Sequence, residues 1–192
     1  MKGFSKSINN RFQKLWKRKQ TGFGKKTCNL QSIQTQITKQ IKTKKGTSSA
    51  TINSILTCHP NFIGCFAEDQ VSHLIFKTFP CYLIVNIDSS QLPGSHWLAL
   101  GIFQNQIEIF DPLGFSFFNW SRIPCDLLKL LHRLSYRRRI LIAKRIQHDK
   151  SVLCAFYCIY YCIFRSRFSF SKLCRAFKKL KENDSILIKL FS

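Results

Sequence analysis

The most constraining feature of the sequence is an uncharged apolar run near its C-terminal end, VLCAFYCIYYCIF at positions 152–164. A membrane-spanning helix needs about 20 apolar residues, so this run is too short to cross a bilayer. It is also longer than a typical buried strand of about 4–8 residues, and it contains no Gly or Pro. The run therefore predicts a buried core helix, against which the other elements of the fold are expected to pack.

Cys154 lies at the start of this run, and Cys158 and Cys162 follow at intervals of four residues. The positive end of a helix dipole stabilises a thiolate and lowers the pKa of a cysteine at a helix N-terminus. Cys158 and Cys162 lie deeper on the same helix face, where apolar surroundings raise a thiol pKa, so we interpret them as packing residues. The spacing is not a usual one for zinc ligands, and no metal site is predicted. Cys154 itself is either a reactive thiol or one more small core residue.

Charge is the second strong constraint, because 31 Lys and Arg against nine Asp and Glu give a formal net charge of +22. Such a balance predicts a polyanionic partner, either nucleic acid or an acidic membrane surface. Residues 1–50 hold thirteen of the basic residues and no acidic residue, and a second basic block follows position 132. The candidate nucleic-acid contacts from these two blocks are Lys17, Arg18, Lys19, Arg137, Arg138, Arg139, Lys144 and Arg145.

The composition predicts two parts, a basic N-terminal arm at 1–47 and a folded domain at 48–192. Within the arm, apolar residues at helical spacing over 4–19 predict a basic amphipathic helix that contacts DNA, a membrane surface, a partner protein or its own domain. Residues 20–47 are rich in Lys, Gln, Thr and Gly and are interpreted as a linker. No apolar segment of a secretory signal follows the first basic residues, and the cysteine count is odd. We therefore expect an intracellular protein with mainly reduced thiols.

The domain at 48–192 is expected to be α+β, with a small mixed or antiparallel sheet packed on the central helix and with flanking helices. Strands are predicted at 81–87, 96–103, 106–111 and 137–147, and a tight turn joins the second to the third. Helices are predicted after a cap at Ser48 or Ser49, at 124–135 with Pro124 near the first turn, and around 173–180.

Three polar residues could complete a site around Cys154, because a thiol nucleophile needs a base, a group that orients the base, and donors for an oxyanion. His96 follows a Pro-Gly turn and opens a strand, which suits the base. If the hairpin turn is 104–105 or 105–106, Asp111 falls opposite residue 98 or 100, on the same face as His96. In the first register it is a diagonal neighbour of His96. Gln147 precedes Cys154 by seven residues and is a candidate oxyanion donor.

Spacing alone leaves the simpler interpretations of these three residues open. On spacing alone, a surface histidine, an aspartate that starts a turn and an exposed loop glutamine are the commoner cases.

Taken together and in chain order, these residues resemble the adenovirus-type, or adenain-like, cysteine proteases, and more distantly the related SUMO-deconjugating proteases. The features that carry the resemblance are His96-Trp97, Asp111 in IFDPLG, Gln147, Cys154 in SVLCAFYC, and the upstream segments NFIGCFAEDQ and CYLIVNIDSSQLPGSHW. The similarity covers roughly residues 48–165.

The resemblance implies that Cys154 is the nucleophile, His96 the general base and acid, and Asp111 the orienting acid. It also implies that Gln147 and the Cys154 backbone N–H form an oxyanion hole and that Trp97 packs beside the histidine. The reaction would be hydrolysis of peptide bonds near Gly in virion precursor proteins, through a thioester, by a monomer in the virion and host nucleus. The chemistry itself needs no cofactor, although some family members use DNA and the adenovirus enzyme uses an activating peptide.

Two residues depart from the family pattern. The family usually has Gly directly after the nucleophile, where this chain has Ala155, and adenovirus enzymes mostly have Glu where this chain has Asp111. Two other functions therefore stay open. One is a deconjugase of ubiquitin-like modifiers that uses the same chemistry, and the other is a non-enzymatic basic virion protein that binds DNA or membranes, of which Ala155 would be the sign.

Overall fold

The computed structural model describes residues 30–43, 45–114 and 123–191, and within them the chain alternates helices and strands. The helices are α1 Leu30–Thr43, α2 Ser49–Leu56, α3 Cys125–Ser135, α4 Cys154–Arg165, α5 Phe170–Arg175 and α6 Leu180–Leu190, and a 3-10 turn covers Glu68–Gln70. The strands are β1 Phe62–Ala67, β2 Cys81–Asn86, β3 Trp97–Ile102, β4 Gln106–Phe110 and β5 Arg139–Ile142.

The five strands form one mixed sheet in the order β1-β2-β3-β4-β5. The central strand β3 pairs antiparallel with β2 and with β4, whereas β1 is parallel to β2 and β5 is parallel to β4. Helix α4 packs on one face of this sheet, and the leucines of α3 pack on the other. The predicted α+β class, with a mixed sheet packed on a central helix, is confirmed.

Helix α4 is the centre of the larger core, and its residues 155–164 are all buried, as the apolar run predicts. Strand β3 makes room for it at Gly101, because a side chain there would collide with the hydroxyl of Tyr161 on α4. The ring of Tyr161 in turn stacks on Phe110 of β4 with centroids 4.9 Å apart. These contacts fix the height of the helix on the sheet, and therefore the position of its first residue, Cys154.

A buried ion pair anchors the other end of α4. Arg165 donates from Nε to Oε2 of Glu108 at 2.6 Å and from Nη2 to Oε1 at 2.7 Å. The Tyr161 hydroxyl donates to the same carboxylate at 2.7 Å, and Glu108 itself is fully buried in β4. Because the carboxylate accepts from several donors, its burial is compensated, and loss of Arg165 would leave its charge unpaired in the core.

Two sequence predictions in the N-terminal arm have different outcomes. Residues 30–43, interpreted as part of a linker, form helix α1, because Ile33 and Ile37 lie four residues apart and insert into the core while Thr35, Thr38 and Lys39 are exposed. The amphipathic helix predicted at 4–19 lies outside the described residues.

The C-terminal region also differs from its prediction. The single helix predicted around 173–180 is wrong, because the chain leaves the helical conformation between α5 and α6. Phe177 lies in that interruption and inserts between Tyr157 and Tyr160, with ring centroids 5.1 Å from each. The side-chain oxygen of Asn183 then accepts from the backbone N–H of Lys179 at 3.2 Å, which stabilises the start of α6.

Smaller differences concern the sheet edges and the first helix. Strand β1 was not predicted, and β5 is shorter than the predicted segment 137–147. Helix α2 begins as predicted, with Ser48 as its N-cap and the Ser48 hydroxyl oxygen accepting from Thr51 N at 3.2 Å.

Among the described residues, none of the helices has both the length and the apolar character needed to cross a bilayer.

Candidate active site

His96 and Asp111 form a buried pair at the end of the central hairpin. The register pairs Ala99 with Phe110, so a two-residue turn at 104–105 puts Asp111 opposite Leu98, which is the first of the two predicted registers. His96 Nε2 lies 2.7 Å from Asp111 Oδ1, and the two residues are 6% and 0% exposed. Asp111 also accepts from the backbone N–H of Leu113 at 2.8 Å. The carboxylate is therefore held in the orientation in which it meets the imidazole.

The surroundings of His96 favour its charged form. Burial lowers the pKa of His96, but hydrogen bonds to Asp111 and to Cys154, together with the negative charges of both groups, outweigh it and raise that pKa to about 9. Because Nε2 faces Asp111, Nδ1 is the ring nitrogen that remains for the thiol. The arrangement can take a proton from Cys154 and keep it near the carboxylate.

Cys154 is the first residue of α4 and is partly exposed, whereas the next two cysteines on the helix are fully buried. Burial raises the pKa of Cys158 and of Cys162 well above the ordinary thiol value. The Cys158 thiol donates to the backbone carbonyl of Trp97 at 3.3 Å. The structure thus places Cys154 beside His96 and places the other two cysteines in the core.

The turn at 111–114 brings Gln147 to the same place. The carbonyl of Pro112 accepts from the backbone N–H groups of Ile146 and Gln147 at 2.9 and 2.8 Å. Gly114 closes the turn with φ of +67°, and a Cβ there would come within 2.5 Å of the Arg145 backbone. Since Asp111 starts the same turn, one short segment orients both the histidine and the glutamine loop.

Gln147 is 2% exposed and lines the cleft that contains Cys154. Its Nε2 donates to the carbonyl of Ser151 at 2.9 Å, which leaves a second N–H on the same nitrogen. Its Oε1 is buried with no hydrogen-bond partner in the part of the chain that the structure describes. Because one N–H and the oxygen of this buried amide have no partner in the described part of the chain, the amide can form new hydrogen bonds when a substrate enters the cleft.

Trp97 and Ala155 flank these residues. The indole Nε1 of Trp97 donates to the carbonyl of Thr47 at 3.0 Å, so the ring joins the strand that follows His96 to the segment before α2. Ala155 is fully buried in the first turn of α4. Its methyl group therefore faces protein rather than the cleft.

The cleft has a volume of about 840 Å³ and leads to Cys154, His96 and Gln147. Many of its lining residues are small, and most of these small residues lie within the segments 46–49, 65–67 and 89–95. Asp88 and Asp149 are the acidic residues in the described lining, which contains no Lys or Arg, and the positive charge in that lining is the His96 imidazolium. An extended peptide with small side chains would fit such a groove.

The candidate nucleic-acid contacts divide into three groups. Arg138 donates to the backbone carbonyls of Phe103, Gln104 and Leu134 and so holds the hairpin to α3, and Arg145 is paired with Asp149. Arg137, Arg139 and Lys144 are exposed. Lys17, Arg18 and Lys19 lie outside the described residues. The sequence could not separate these groups, because intramolecular partners come from distant segments.

Sequence reasoning missed the residues that hold the loop between Gln147 and Cys154. Asn183 of α6 donates to the carbonyl of Ile146 at 2.7 Å, and Asp184 accepts from the hydroxyls of Ser151 and Tyr157 at 3.0 and 2.8 Å. Neither has a local sequence signal, because each acts on residues more than 25 positions away. Among the described residues, no cluster of three or more His, Cys, Asp or Glu could hold a metal ion.

Comparison with known proteins adds little to this geometry. No protein-family model and no curated protein sequence matches the chain. Among solved structures, one of an AvrA deletion variant with IP6 and CoA is similar at 13% sequence identity, with a TM-score of 0.46. That match covers 95% of this chain but 66% of the AvrA chain, so this chain spans less than two thirds of the length of its neighbour.

Proposed function

We propose that this protein is a cysteine endopeptidase in which Cys154 attacks the peptide carbonyl, His96 transfers the protons and Asp111 orients His96. The observation that carries the proposal is the buried His96 between Asp111, at 2.7 Å, and the thiol at the first residue of α4. A nucleophile, a base and an orienting acid in this order form the arrangement that thiol catalysis requires. The resemblance of the same residues to adenain-like proteases supports the same conclusion.

Acylation begins from the ion pair in which His96 Nδ1 already holds the thiol proton, and the Cys154 sulfur forms a bond to the scissile carbonyl carbon. The oxygen of that carbonyl becomes an oxyanion, for which the free N–H of Gln147 Nε2 and the Cys154 backbone N–H are the proposed donors. The C–N bond then breaks as His96 returns the proton to the leaving amine. The product is a thioester on Cys154 and a free amino terminus.

Deacylation reverses these roles with water in place of the amine. His96 takes a proton from the water, whose oxygen attacks the thioester carbon, and the C–S bond breaks as Cys154 leaves. The carboxylic product departs, and His96 and Cys154 recover their starting protonation. No metal or organic cofactor takes part in these steps.

We further propose that the substrates are virion precursor proteins cleaved near Gly while the enzyme is associated with DNA, in the virion and the host nucleus. The small residues along the cleft favour an extended chain with small side chains near the cleaved bond. The net charge of +22 favours association with DNA, on which a basic enzyme can slide to its substrates.

The deciding experiment compares Cys154→Ala with Cys125→Ala in the full-length chain, using peptides that contain Gly-Gly. Cys125 is an exposed free cysteine and provides a matched control. We expect Cys154→Ala to abolish hydrolysis, and Cys125→Ala to retain it, with DNA binding unchanged in both. Full turnover by Cys154→Ala would refute the proposal.

A second measurement separates the protease from the deconjugase. A ubiquitin-like protein with an electrophilic C-terminus should leave Cys154 unmodified under conditions in which a short Gly-containing peptide probe labels it. Efficient labelling by the ubiquitin-like protein would favour the deconjugase. If both probes fail and a mild alkylating reagent does not modify Cys154 at neutral pH, the non-enzymatic alternative is favoured.

A further inference from the structure

A buried glutamine on helix α1 contacts the candidate site from the N-terminal side of the chain. Gln40 is 7% exposed, and its Nε2 donates to the backbone carbonyl of Val152 at 2.9 Å. Its Oε1 accepts from the hydroxyl of Thr47. Val152 lies two residues before Cys154, so this amide holds the chain immediately in front of the nucleophile.

Thr47, which donates to Gln40, also connects Gln40 to the segment that carries His96. The backbone carbonyl of Thr47 accepts from Trp97 Nε1 at 3.0 Å, and Trp97 directly follows His96. Residues 46–49 also line the cleft. Gln40 therefore connects the nucleophile segment, one wall of the cleft and the strand that carries the base.

We propose that Gln40 is a positioning residue for the reaction and that helix α1, through Gln40, holds segments of the site in place. This inference rests on the function proposed above. Ile33 and Ile37 already anchor the helix in the core. The Gln40 side-chain amide is polar and so contributes no apolar surface to the core. Its two hydrogen-bond partners, the Val152 carbonyl and the Thr47 hydroxyl, both belong to segments of the site. Its role is to fix the geometry of those segments.

The reason lies in the loop at 147–153, which carries Gln147 at one end and leads to Cys154 at the other. Pro112 fixes the first end through two backbone hydrogen bonds, and Gln40 fixes the second through Val152. Without Gln40 the half-buried carbonyl of Val152 loses its side-chain donor, and we expect the loop to shift toward another partner. A shift of about 1 Å in a reacting group can cost roughly a hundredfold in rate.

The test uses Gln40→Leu in the full-length chain, with Gln36→Leu as the matched control. Gln36 lies one turn earlier on α1, is partly buried, and lines a separate cavity of about 400 Å³ that Gln40 also lines. We expect Gln40→Leu to lower kcat on a Gly-containing peptide by about tenfold to hundredfold with KM changed by less than about threefold. Gln36→Leu should keep both parameters.

Alkylation of Cys154 by iodoacetamide, followed by mapping of the modified residue, gives a readout that does not depend on hydrolysis. We expect its rate to fall at neutral pH in Gln40→Leu and not in Gln36→Leu, because the thiol loses its alignment with His96. If the wild-type chain hydrolyses no peptide but the alkylation difference persists, the positioning role stands and the proposed hydrolase activity fails.

Thr47→Val serves as the second variant, since it removes the hydroxyl that donates to Gln40 but keeps the carbonyl that accepts from Trp97. It leaves the apolar face of α1 intact, so it should fold even if Gln40→Leu does not. We expect a loss in kcat of several-fold for Thr47→Val. Wild-type kcat and wild-type alkylation in the folded variants would overturn the proposal.

Discussion

At the scale of single residues, the charge state of His96 controls what the site can do. Its pKa is raised to about 9 because the hydrogen bonds and charges of Asp111 and Cys154 outweigh the effect of burial. A group whose pKa is raised on folding contributes stability that is complete below its ordinary pKa and is lost as the pH rises through the folded value. The imidazolium should therefore persist through neutral pH and be lost near pH 9.

The first prediction concerns Asp111→Asn, which removes the negative charge but keeps an oxygen near His96. The pKa of His96 should fall, and because the imidazolium must protonate the leaving amine, the alkaline limb of kcat/KM should move to lower pH. We also expect kcat to fall by at least about tenfold, since the orienting acid is lost. Profiles of kcat/KM from about pH 6 to pH 10 measure both effects. An unchanged alkaline limb would show that Asp111 does not set the pKa of His96.

At the scale of elements, helix α6 supports the loop that carries Gln147. Asn183 is 1% exposed and uses both ends of its amide, accepting from Lys179 N and donating to the Ile146 carbonyl. Asp184 holds Ser151 at the far side of the same loop. Helix α6 and helix α1 thus both form hydrogen bonds to the loop that joins Gln147 to Cys154.

The second prediction is that Asn183→Leu destabilises the protein and impairs catalysis together. The change leaves the buried Ile146 carbonyl without its donor, at roughly 1–3 kcal/mol, and removes the less buried hydrogen bond from Lys179 N–H, at roughly 0.5–1.5 kcal/mol. We expect the free energy of unfolding in urea to fall by about 2–4 kcal/mol and kcat/KM to fall at temperatures where the variant is still folded. Lys181→Leu, at an exposed position on the same helix, is the control and should change neither. Normal kcat/KM in folded Asn183→Leu would limit Asn183 to a structural role.

Which elements the sequence could predict depends on how local their signals are. Helix α4 follows from an uninterrupted apolar run, and a short turn limits the hairpin to two registers, of which the structure has the one that places Asp111 diagonal to His96. The grouping of Cys154 with this pair rests on the resemblance to adenain-like proteases. Helix α1 was missed because two isoleucines among Gln and Thr give a weak apolar face.

The residues that support the site could not be predicted, for a related reason. Gln40 and Val152 are 112 positions apart, Glu108 and Arg165 are 57 apart, and Asn183 and Ile146 are 37 apart. Each pair meets only because the sheet and α4 are already in place. A buried glutamine, glutamate or asparagine cannot be distinguished from an exposed one until the fold supplies its partner.

At the scale of the whole molecule, three exposed basic residues near β5 lie apart from the described lining of the cleft. The chain carries a net charge of +22, yet the described lining of the cleft contains no Lys or Arg and includes two aspartates. Arg137, Arg139 and Lys144 are exposed around β5, at the sheet edge opposite β1, whose residues 65–67 line the cleft. This separation would let the protein hold a polyanion on one surface while a peptide enters on another.

The last prediction follows from that separation and concerns the salt dependence of DNA binding. Each phosphate contact contributes about −0.9 to the slope of log K against log salt concentration for duplex DNA. If Arg137, Arg139 and Lys144 all contact phosphates, replacing the three by Gln should reduce the magnitude of the slope by about 2.7, three times that value. Fluorescence anisotropy of a labelled duplex at several salt concentrations measures this slope.

The control for this prediction replaces three other exposed lysines, Lys77, Lys150 and Lys181, by Gln. It removes the same total charge, so any effect of net charge alone appears equally in both variants. We expect the control to change the slope by less than about one contact, or 0.9, and both variants to hydrolyse peptides normally in the absence of DNA. Equal slopes in the two variants would mean that DNA does not select the surface around β5 and that the N-terminal block or the overall charge carries the binding.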